Sequence, residues 1–110
     1  MSRRDQSAKA PAAGMAEFEA KAAEAAALLK LMANENRLLI LCRLALKGEM
    51  AVNDLAAAVG LSQSALSQHL AKMRAEGLLA TRREAQTVFY RIADANAQRL
   101  LMLLKDIYCP

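Results

Sequence analysis

The sequence contains no tryptophan, one histidine and two cysteines among its 110 residues, and no long apolar run. Because a helix needs roughly 18 or more consecutive apolar residues to cross a bilayer, we expect no membrane span. A pair of arginines near the start resembles an export signal, but no hydrophobic segment follows it. We therefore expect a cytoplasmic protein, whose cysteines stay reduced because the cytosol is reducing. The single histidine, His69, has neither cysteine near it in sequence, so it offers no set of metal ligands.

Alanine and leucine dominate what is present, and 55% of the residues are apolar, which favours a mainly α-helical fold. The length suits one domain with a modest core. Residues 1–14 are polar and small and are interrupted by Pro11 and Gly14, which predicts a disordered arm before a folded domain over residues 15–110. The formal net charge of +4 suits a polyanionic partner without establishing one.

Apolar residues recur at helical spacing through most of the chain before residue 78. In the second of the resulting helices Cys42 shares a stripe with Leu38 and Leu41, so we expect it to face inward. Gly60 ends a short helix and Ser62 is a good N-cap for the next, which is typical of a helix-turn-helix. The predicted helices cover residues 15–32, residues 34–46 after an Asn34 N-cap, residues 52–60 and residues 62–76.

The pattern then changes to alternation in "TVFYRI", which is rich in β-branched and aromatic residues. With the charged stretch "RREAQ" before it, this predicts a β-hairpin over residues 78–92 with a basic tip. A helix-turn-helix followed by a hairpin is a winged helix. The last helix begins near Asn96, with Asp94 or Asn96 as its N-cap, and has more apolar residues than one narrow stripe needs. We expect a second copy to cover that surplus together with helix 15–32, and so predict a homodimer of about five helices and a wing per subunit.

The helix over residues 62–76 has an apolar stripe of Leu66, Leu70 and Met73, and its opposite side is small and polar. Small side chains permit close approach, and serine and glutamine hydrogen-bond base edges, so this side suits the major groove of double-stranded DNA. Residues 62–91 contain five basic and two acidic residues, so most of the net charge lies there. The predicted contacts on this helix are Gln63 at its N-terminal entrance, Ser64, Ser67, Gln68 and Lys72.

The stretch "LSQSALSQHLAKMRAEGLLATRREAQTVFYRI", with "NENRLLIL" before it, resembles the ArsR/SmtB family of dimeric winged-helix repressors. The resemblance covers residues 15–110 and implies a repressor that binds a near-palindromic operator, with no enzymatic activity and no cofactor. It places DNA contacts on the helix positions already named and extends them to His69 and, in the wing, to Arg82 and Arg83. We add Gln86 at the tip of the hairpin.

The metal sites of that family are absent from the expected positions. The arsenic and lead sensors carry Cys-x-Cys where this sequence has Ala-Val-Asn at residues 51–53. The zinc sensors place Asp and His at the start of the last helix and His and Glu near its end. Here Asp94 is present, but Asn96 replaces the histidine, and the far end offers Ile107 and Pro110. We therefore assign no metal site.

The two cysteines, Cys42 in "ILCRL" and Cys109 in "IYCP", resemble the two-cysteine BigR/SqrR branch of the family. That resemblance implies a sensing dithiol. A low-pKa thiolate attacks sulfane sulfur (a persulfide or polysulfide) or another oxidant, the second thiol closes a bridge, and operator binding is switched off. On spacing alone the pair is weak evidence, because buried cysteine is common and inert.

Three alternatives stay open from the residues. The same repressor could sense peroxide or, through Cys42 and Cys109, a metal ion. A small thiol peroxidase-like enzyme would use the same dithiol, but Arg43 is the only Arg or His close to either cysteine in sequence. A winged helix that binds protein instead of DNA is disfavoured by the basic wing and by the polar side of helix 62–76.

Overall fold

The structure is a computed structural model that describes residues 12–109, and the side chains of residues 14–109. The chain divides into two compact units, with the boundary after Leu31. Most of helix α1 (Ala12–Met32) forms the described part of the first unit. This helix begins earlier than the predicted residue 15, and the rest of the predicted arm, residues 1–11, lies outside the described residues. Along α1, Phe18 and Leu29 are 59% and 55% exposed, whereas Leu31 and Met32 at its end are buried.

The second unit begins with helix α2 (Glu35–Lys47). The predicted N-cap is confirmed, because the Asn34 side chain accepts a hydrogen bond from the backbone N–H of Arg37 at 3.1 Å. Gly48 ends the helix with φ 89°, a conformation that favours glycine. The core-facing stripe of α2 consists of Ile40, Leu41 and Leu44. The expectation for Cys42 is therefore corrected: its side chain is half-buried on the adjoining face, outside the core.

The predicted helix-turn-helix is confirmed in helices α3 (Val52–Val59) and α4 (Gln63–Ala75). Gly60 adopts the left-handed conformation, with φ 71°, and ends α3. The Ser62 hydroxyl accepts a hydrogen bond from the backbone N–H of Ala65 at 3.2 Å and starts α4. The residues between the helices thus satisfy backbone groups that a chain reversal leaves unpaired.

The hairpin is confirmed in strands β2 (Leu79–Glu84) and β3 (Thr87–Ile92), with Ala85 and Gln86 at its tip. The sequence prediction missed a third strand, β1 (Met50–Ala51), which pairs antiparallel with β3 to give the order β1-β3-β2. Met50 lies opposite Tyr90 in that pairing. A strand of two residues has no alternation to detect, so only its pairing reveals it.

Helix α5 (Ala95–Tyr108) closes the second unit and packs against α2. Asp94, one of the two predicted caps, accepts hydrogen bonds from the backbone N–H groups of Asn96 and Ala97 at 2.8 and 3.1 Å. Only the face of α5 that carries Ala97 and Leu101 is buried. The core of this unit combines that face with buried side chains of the sheet and the other helices: Ile40, Leu41, Leu44, Leu55, Leu66, Leu70, Met73, Leu78 and Leu79.

Within residues 12–109, no helix combines the length and the apolar character that crossing a membrane requires.

Candidate nucleic-acid interface and thiol cavity

Helix α4 separates its side chains as the sequence predicts. Leu66, Leu70 and Met73 are almost completely buried. On the opposite side the exposed residues form a continuous surface, which we call the polar face of α4: Ser64, Ser67, Gln68, Ala71 and Ala75. The face has no charge of its own and no bulky side chain, so another surface can approach the helix backbone closely. Its geometry therefore suits insertion into a DNA groove.

The N-terminal entrance of α4 is held by local hydrogen bonds. The amide of Gln63 donates to the Asn53 side-chain oxygen on α3. The hydroxyls of Ser62 and Ser64 lie 3.3 Å apart. Gln63 and Ser64 are exposed, as predicted for contact residues. Their side chains are also oriented by neighbours within the helix-turn-helix. Asn53 was not among the predicted site residues, because nothing in a single side chain indicates which distant residue it will meet.

His69 lies at the border between the buried and the polar sides of α4 and is half-buried. Its Nδ1 accepts a hydrogen bond from Nε of Arg37 on α2 at 3.2 Å. An imidazole that accepts at Nδ1 carries its proton on Nε2, which leaves Nε2–H as a donor. The same contact links α2 to α4 directly, and it is a contact that sequence spacing alone did not reveal.

Lys72 stands beside the polar face and pairs with Glu76 one turn further along α4, at 3.2 Å between Nζ and Oε2. Both side chains are about half exposed, and such pairs contribute only about 0.3–0.5 kcal/mol. A phosphate group can therefore compete for the ammonium group at little cost.

In the wing, Arg82 is engaged on three sides. Its guanidinium lies 2.8 Å from the carboxylates of both Glu49 and Glu84. It also lies 4.5 Å from the centre of the Phe89 ring, its partner across β2 and β3. The hydrogen bond from Arg82 lowers the pKa of the Glu49 carboxyl below its ordinary value. The wing is thereby tied to the segment that precedes β1, and the charge of Arg82 is largely compensated.

The other predicted wing contacts, Arg83 and Gln86, are exposed at the end of the hairpin. Within the described part of the chain, no carboxylate forms an ion pair with Arg83. Arg83 and Arg82 are neighbours in sequence, yet they differ sharply in how available their charges are. Glu49, which makes this difference, was not predicted as a site residue.

A second site lies between α2 and α5, where a cavity of about 330 Å³ opens to solvent. We call it the thiol cavity, because both cysteines of the chain line it. The two are free thiols: Cys42 is half-buried and Cys109 is exposed. The full lining consists of Leu38, Cys42, Ala45, Leu46, Leu101, Met102, Leu104, Lys105, Tyr108 and Cys109.

The environment of Cys42 bears on which cysteine could supply the low-pKa thiolate that the family resemblance implies. Burial raises the pKa of the Cys42 thiol above its ordinary value of 9.0, and the charge of a Cys109 thiolate nearby raises it further. Cys42 is therefore not a low-pKa nucleophile in this conformation. Cys109 acts on Cys42 in this way because both residues line the thiol cavity.

Within residues 12–109, no group of three or more histidine, cysteine, aspartate or glutamate side chains is arranged to hold a metal ion. This holds for the thiol cavity and for the start of α5, where the family's other metal site would lie.

Known proteins share both the sequence and this architecture. Residues 34–81 match the profile described as bacterial regulatory protein, arsR family. The chain is 52% identical over 93 residues to the transcriptional activator HlyU of Vibrio cholerae, covering 84% of this chain and 85% of that protein.

The chain belongs to the ArsR family.

Solved structures of other family members superpose on it. The transcriptional regulator HlyU from Vibrio vulnificus is 48% identical, with a TM-score of 0.80, covering 87% of this chain and 99% of that one. The transcriptional repressor BigR from Xylella fastidiosa is 36% identical, with a TM-score of 0.80, covering 87% and 97%. This ArsR-family chain is therefore a DNA-binding transcriptional regulator with a winged-helix fold, and it is not an enzyme.

Proposed function

We propose that this ArsR-family regulator is a homodimeric cytoplasmic repressor whose operator binding is switched off when Cys42 and Cys109 are oxidised or bridged by sulfane sulfur. One observation carries the proposal: the two thiols of the chain, on helices far apart in sequence, line the same cavity. A bridge between them would join α2 to α5 within one subunit.

The polar face of α4 supports binding to the major groove of double-stranded DNA. Gln68 is exposed and points away from the core, so it can contact adenine through two hydrogen bonds. Gln63, Ser64, Ser67 and His69 flank it along the helix. Lys72, Arg82, Arg83 and Gln86 complete the proposed contacts, with Arg83 carrying the most available charge.

Uncovered apolar side chains support the dimer. Phe18 and Leu29 on α1, and Leu103 and Ile107 on α5, are each more than half exposed in the single chain. Exposed apolar residues in such numbers mark association surfaces. A two-fold dimer presents two α4 helices to half-sites about 34 Å apart, which requires a near-palindromic operator. Sedimentation of a compact monomer at micromolar concentration would contradict this part of the proposal.

The chemistry begins at the exposed Cys109, because the pKa of Cys42 is raised. The Cys109 thiolate attacks the outer sulfur of a persulfide R–S–SH, forming Cys109–S–SH and releasing the thiolate R–S⁻. Cys42 then loses a proton and attacks the Sγ atom of Cys109, which gives the Cys42–Cys109 disulfide and releases the outer sulfur as HS⁻. The two thiols supply the two electrons that reduce the sulfane sulfur. Longer polysulfides would leave additional sulfur atoms in the bridge.

Arg37 supplies a route from the bridge to DNA. Cys42 and Arg37 lie on the same helix, α2, and Arg37 donates to His69 on α4. A shift of α2 toward α5 would therefore change the position of α4, and a coupling of about 1–3 kcal/mol is enough to release an operator.

A peroxide would close the same bridge and is the second candidate inducer. The two thiols are too few for a closed metal site, and among described residues no third ligand joins them. The sulfane-sulfur proposal is favoured because a sulfur leaving group departs readily without a proton donor, whereas the hydroxide released from a peroxide needs one.

The test combines DNA binding with mass analysis. Reduced protein should bind its own promoter region, and polysulfide should release it with one bridge per chain, reversible by dithiothreitol. Cys42→Ser should stay bound, and Cys109→Ser should form no bridge. The matched control is the Cys42→Ser/Cys109→Ser double variant, which should bind DNA as the reduced protein does. If the double variant still releases DNA on polysulfide addition, the dithiol is not the sensor.

A further inference from the structure

Apart from the two thiols, Lys105 and the hydroxyl group of Tyr108, the side chains that line the thiol cavity are apolar. Leu101 forms a completely buried part of the wall, while Leu46, Met102 and Tyr108 form an exposed part of it. Lys105 is the one charged lining residue, and it is half-buried. A volume of about 330 Å³ is at the small end of ligand-binding cavities, which span roughly 300–1,000 Å³.

Cys42 is half-buried in this lining, and that burial is the largest cause of its raised pKa. A charged reagent would have to lose hydration to reach Cys42, and among the lining residues only Lys105, Tyr108 and the thiols carry polar side-chain groups that could replace that water. A neutral reagent with short hydrocarbon arms meets no such penalty and packs favourably against leucine and methionine side chains.

From the apolar lining, the small volume and the two thiols, we infer that the inducer is a neutral alkyl sulfane-sulfur compound, such as a dialkyl trisulfide, in preference to its charged counterparts. This inference rests on the proposed function, because it names the class of compound that the sensing dithiol accepts. Its alkyl arm occupies the apolar part of the thiol cavity while its sulfur atoms face the cysteines.

The reaction balances without a further reagent. The Cys109 thiolate attacks a terminal sulfur of R–S–S–S–R, forming Cys109–S–S–R and releasing R–S–S⁻, a stable leaving group. The Cys42 thiolate then attacks the Cys109 sulfur, forming the disulfide and releasing R–S⁻. Two protein thiols are oxidised, and the trisulfide is reduced to one persulfide and one thiol.

The alkyl chain gives the inference a graded test. Each methylene group of the reagent that becomes fully buried should raise the apparent rate of bridge formation by about fourfold, until the cavity is full. We expect reduced wild-type protein to form the bridge faster with dipropyl than with diethyl, and with diethyl than with dimethyl trisulfide, after correction for the rate of each with free glutathione. Glutathione trisulfide, which is charged, should be the slowest.

Met102 offers a matched pair of variants, because it lines the cavity and is 36% exposed, so substitution does not disturb the core. Met102→Gln should flatten the chain-length dependence at least severalfold, and Met102→Leu, which stays apolar, should preserve it. Peptide mass analysis of the bridge is the readout, and circular dichroism confirms the fold. The wild-type series is decisive even if Met102→Gln does not fold.

Equal corrected rates along the alkyl series, or a faster reaction with glutathione trisulfide through attraction to Lys105, would overturn the inference. Both results leave the proposed function intact if release still requires the cysteines. Release of DNA from the double cysteine variant would instead contradict the proposed function itself.

Discussion

The polar face of α4 and the thiol cavity are built in different ways. The polar face belongs to one helix, and its residues lie within four turns of each other. The cavity is shared by α2 and α5, which are separated along the chain by the whole helix-turn-helix and the wing. The face is exposed and hydrogen-bonding, whereas the cavity is mainly apolar and carries the two thiols. The difference teaches that the proposed DNA-contact surface depends on local geometry, while the arrangement of the thiols depends on tertiary geometry.

The largest effect is expected on the free energy of unfolding when a buried side chain of α4 is shortened. Leu70 is almost completely buried, and Leu70→Ala should lower the free energy of unfolding by about 2–5 kcal/mol through a cavity in the core. Ser67→Ala on the polar face should change it by less than about 0.5 kcal/mol. Urea unfolding of both variants measures the contrast. Similar destabilisation of the two would mean that the polar face is also a packing surface.

A smaller effect is expected from the polar face on DNA binding. Gln68→Ala should weaken operator binding by about 1–3 kcal/mol, because alanine cannot form the two hydrogen bonds to a base that glutamine forms. Fluorescence anisotropy with the operator and with a non-specific duplex of equal length measures this, and sedimentation checks that the dimer is kept. Equal weakening on both duplexes would contradict direct reading of a base by Gln68.

We expect the wing to contribute to DNA binding through the positive charges of its arginine side chains. Arg83→Ala should reduce the slope of log affinity against log salt by about 0.9, the amount that neutralisation of a single phosphate contributes. Arg82→Ala should change the slope less, since Glu49 and Glu84 already compensate its charge. The informative third variant is Glu49→Gln, which should free Arg82 and steepen the slope. A larger slope change for Arg82 than for Arg83 would show that DNA displaces the carboxylates.

The smallest expected effect is on the pH dependence of the reactivity of Cys42 in the thiol cavity. The alkylation rate of Cys42 by iodoacetamide should rise with pH through a midpoint above 9.0, because burial and Cys109 both raise its pKa. In Cys109→Ser the midpoint should fall, since the negative charge is removed, yet remain above 9.0 because burial is the larger cause. Peptide mass analysis separates the two cysteines. A wild-type midpoint at or below 9.0 would mean that Cys42 is better hydrated than its surroundings indicate.

The secondary structure was predictable because its determinants are local. The side chains of Asn34 and Ser62 cap the helices that follow them, and the left-handed Gly60 ends α3, each at the predicted position. The alternation in "TVFYRI" likewise corresponds to β3. β1 escaped prediction because two residues carry no period, and its identity as a strand depends on Tyr90 and Phe89 across the sheet.

The sequence by itself determined which side of α4 is polar, because a helix repeats every 3.6 residues and the pattern of Leu66, Leu70 and Met73 orients it without help from other elements. It also determined the ends of most helices and the family to which the chain belongs. These properties depend on residues a few positions apart, whose relative placement the backbone geometry defines.

Only the tertiary structure decided the availability of charges and the character of the thiols. Arg82 and Arg83 are neighbours that the sequence does not distinguish. The carboxylate of Glu49, just before β1, pairs with Arg82, and in the described residues no carboxylate pairs with Arg83. The helical spacing of Cys42 predicts a core residue. In the structure α5 packs on α2, and Cys42 is a half-buried residue in the lining of a cavity that Cys109 also lines. Electrostatic environment and burial depend on all atoms within several ångströms, and most of those atoms come from distant parts of the chain.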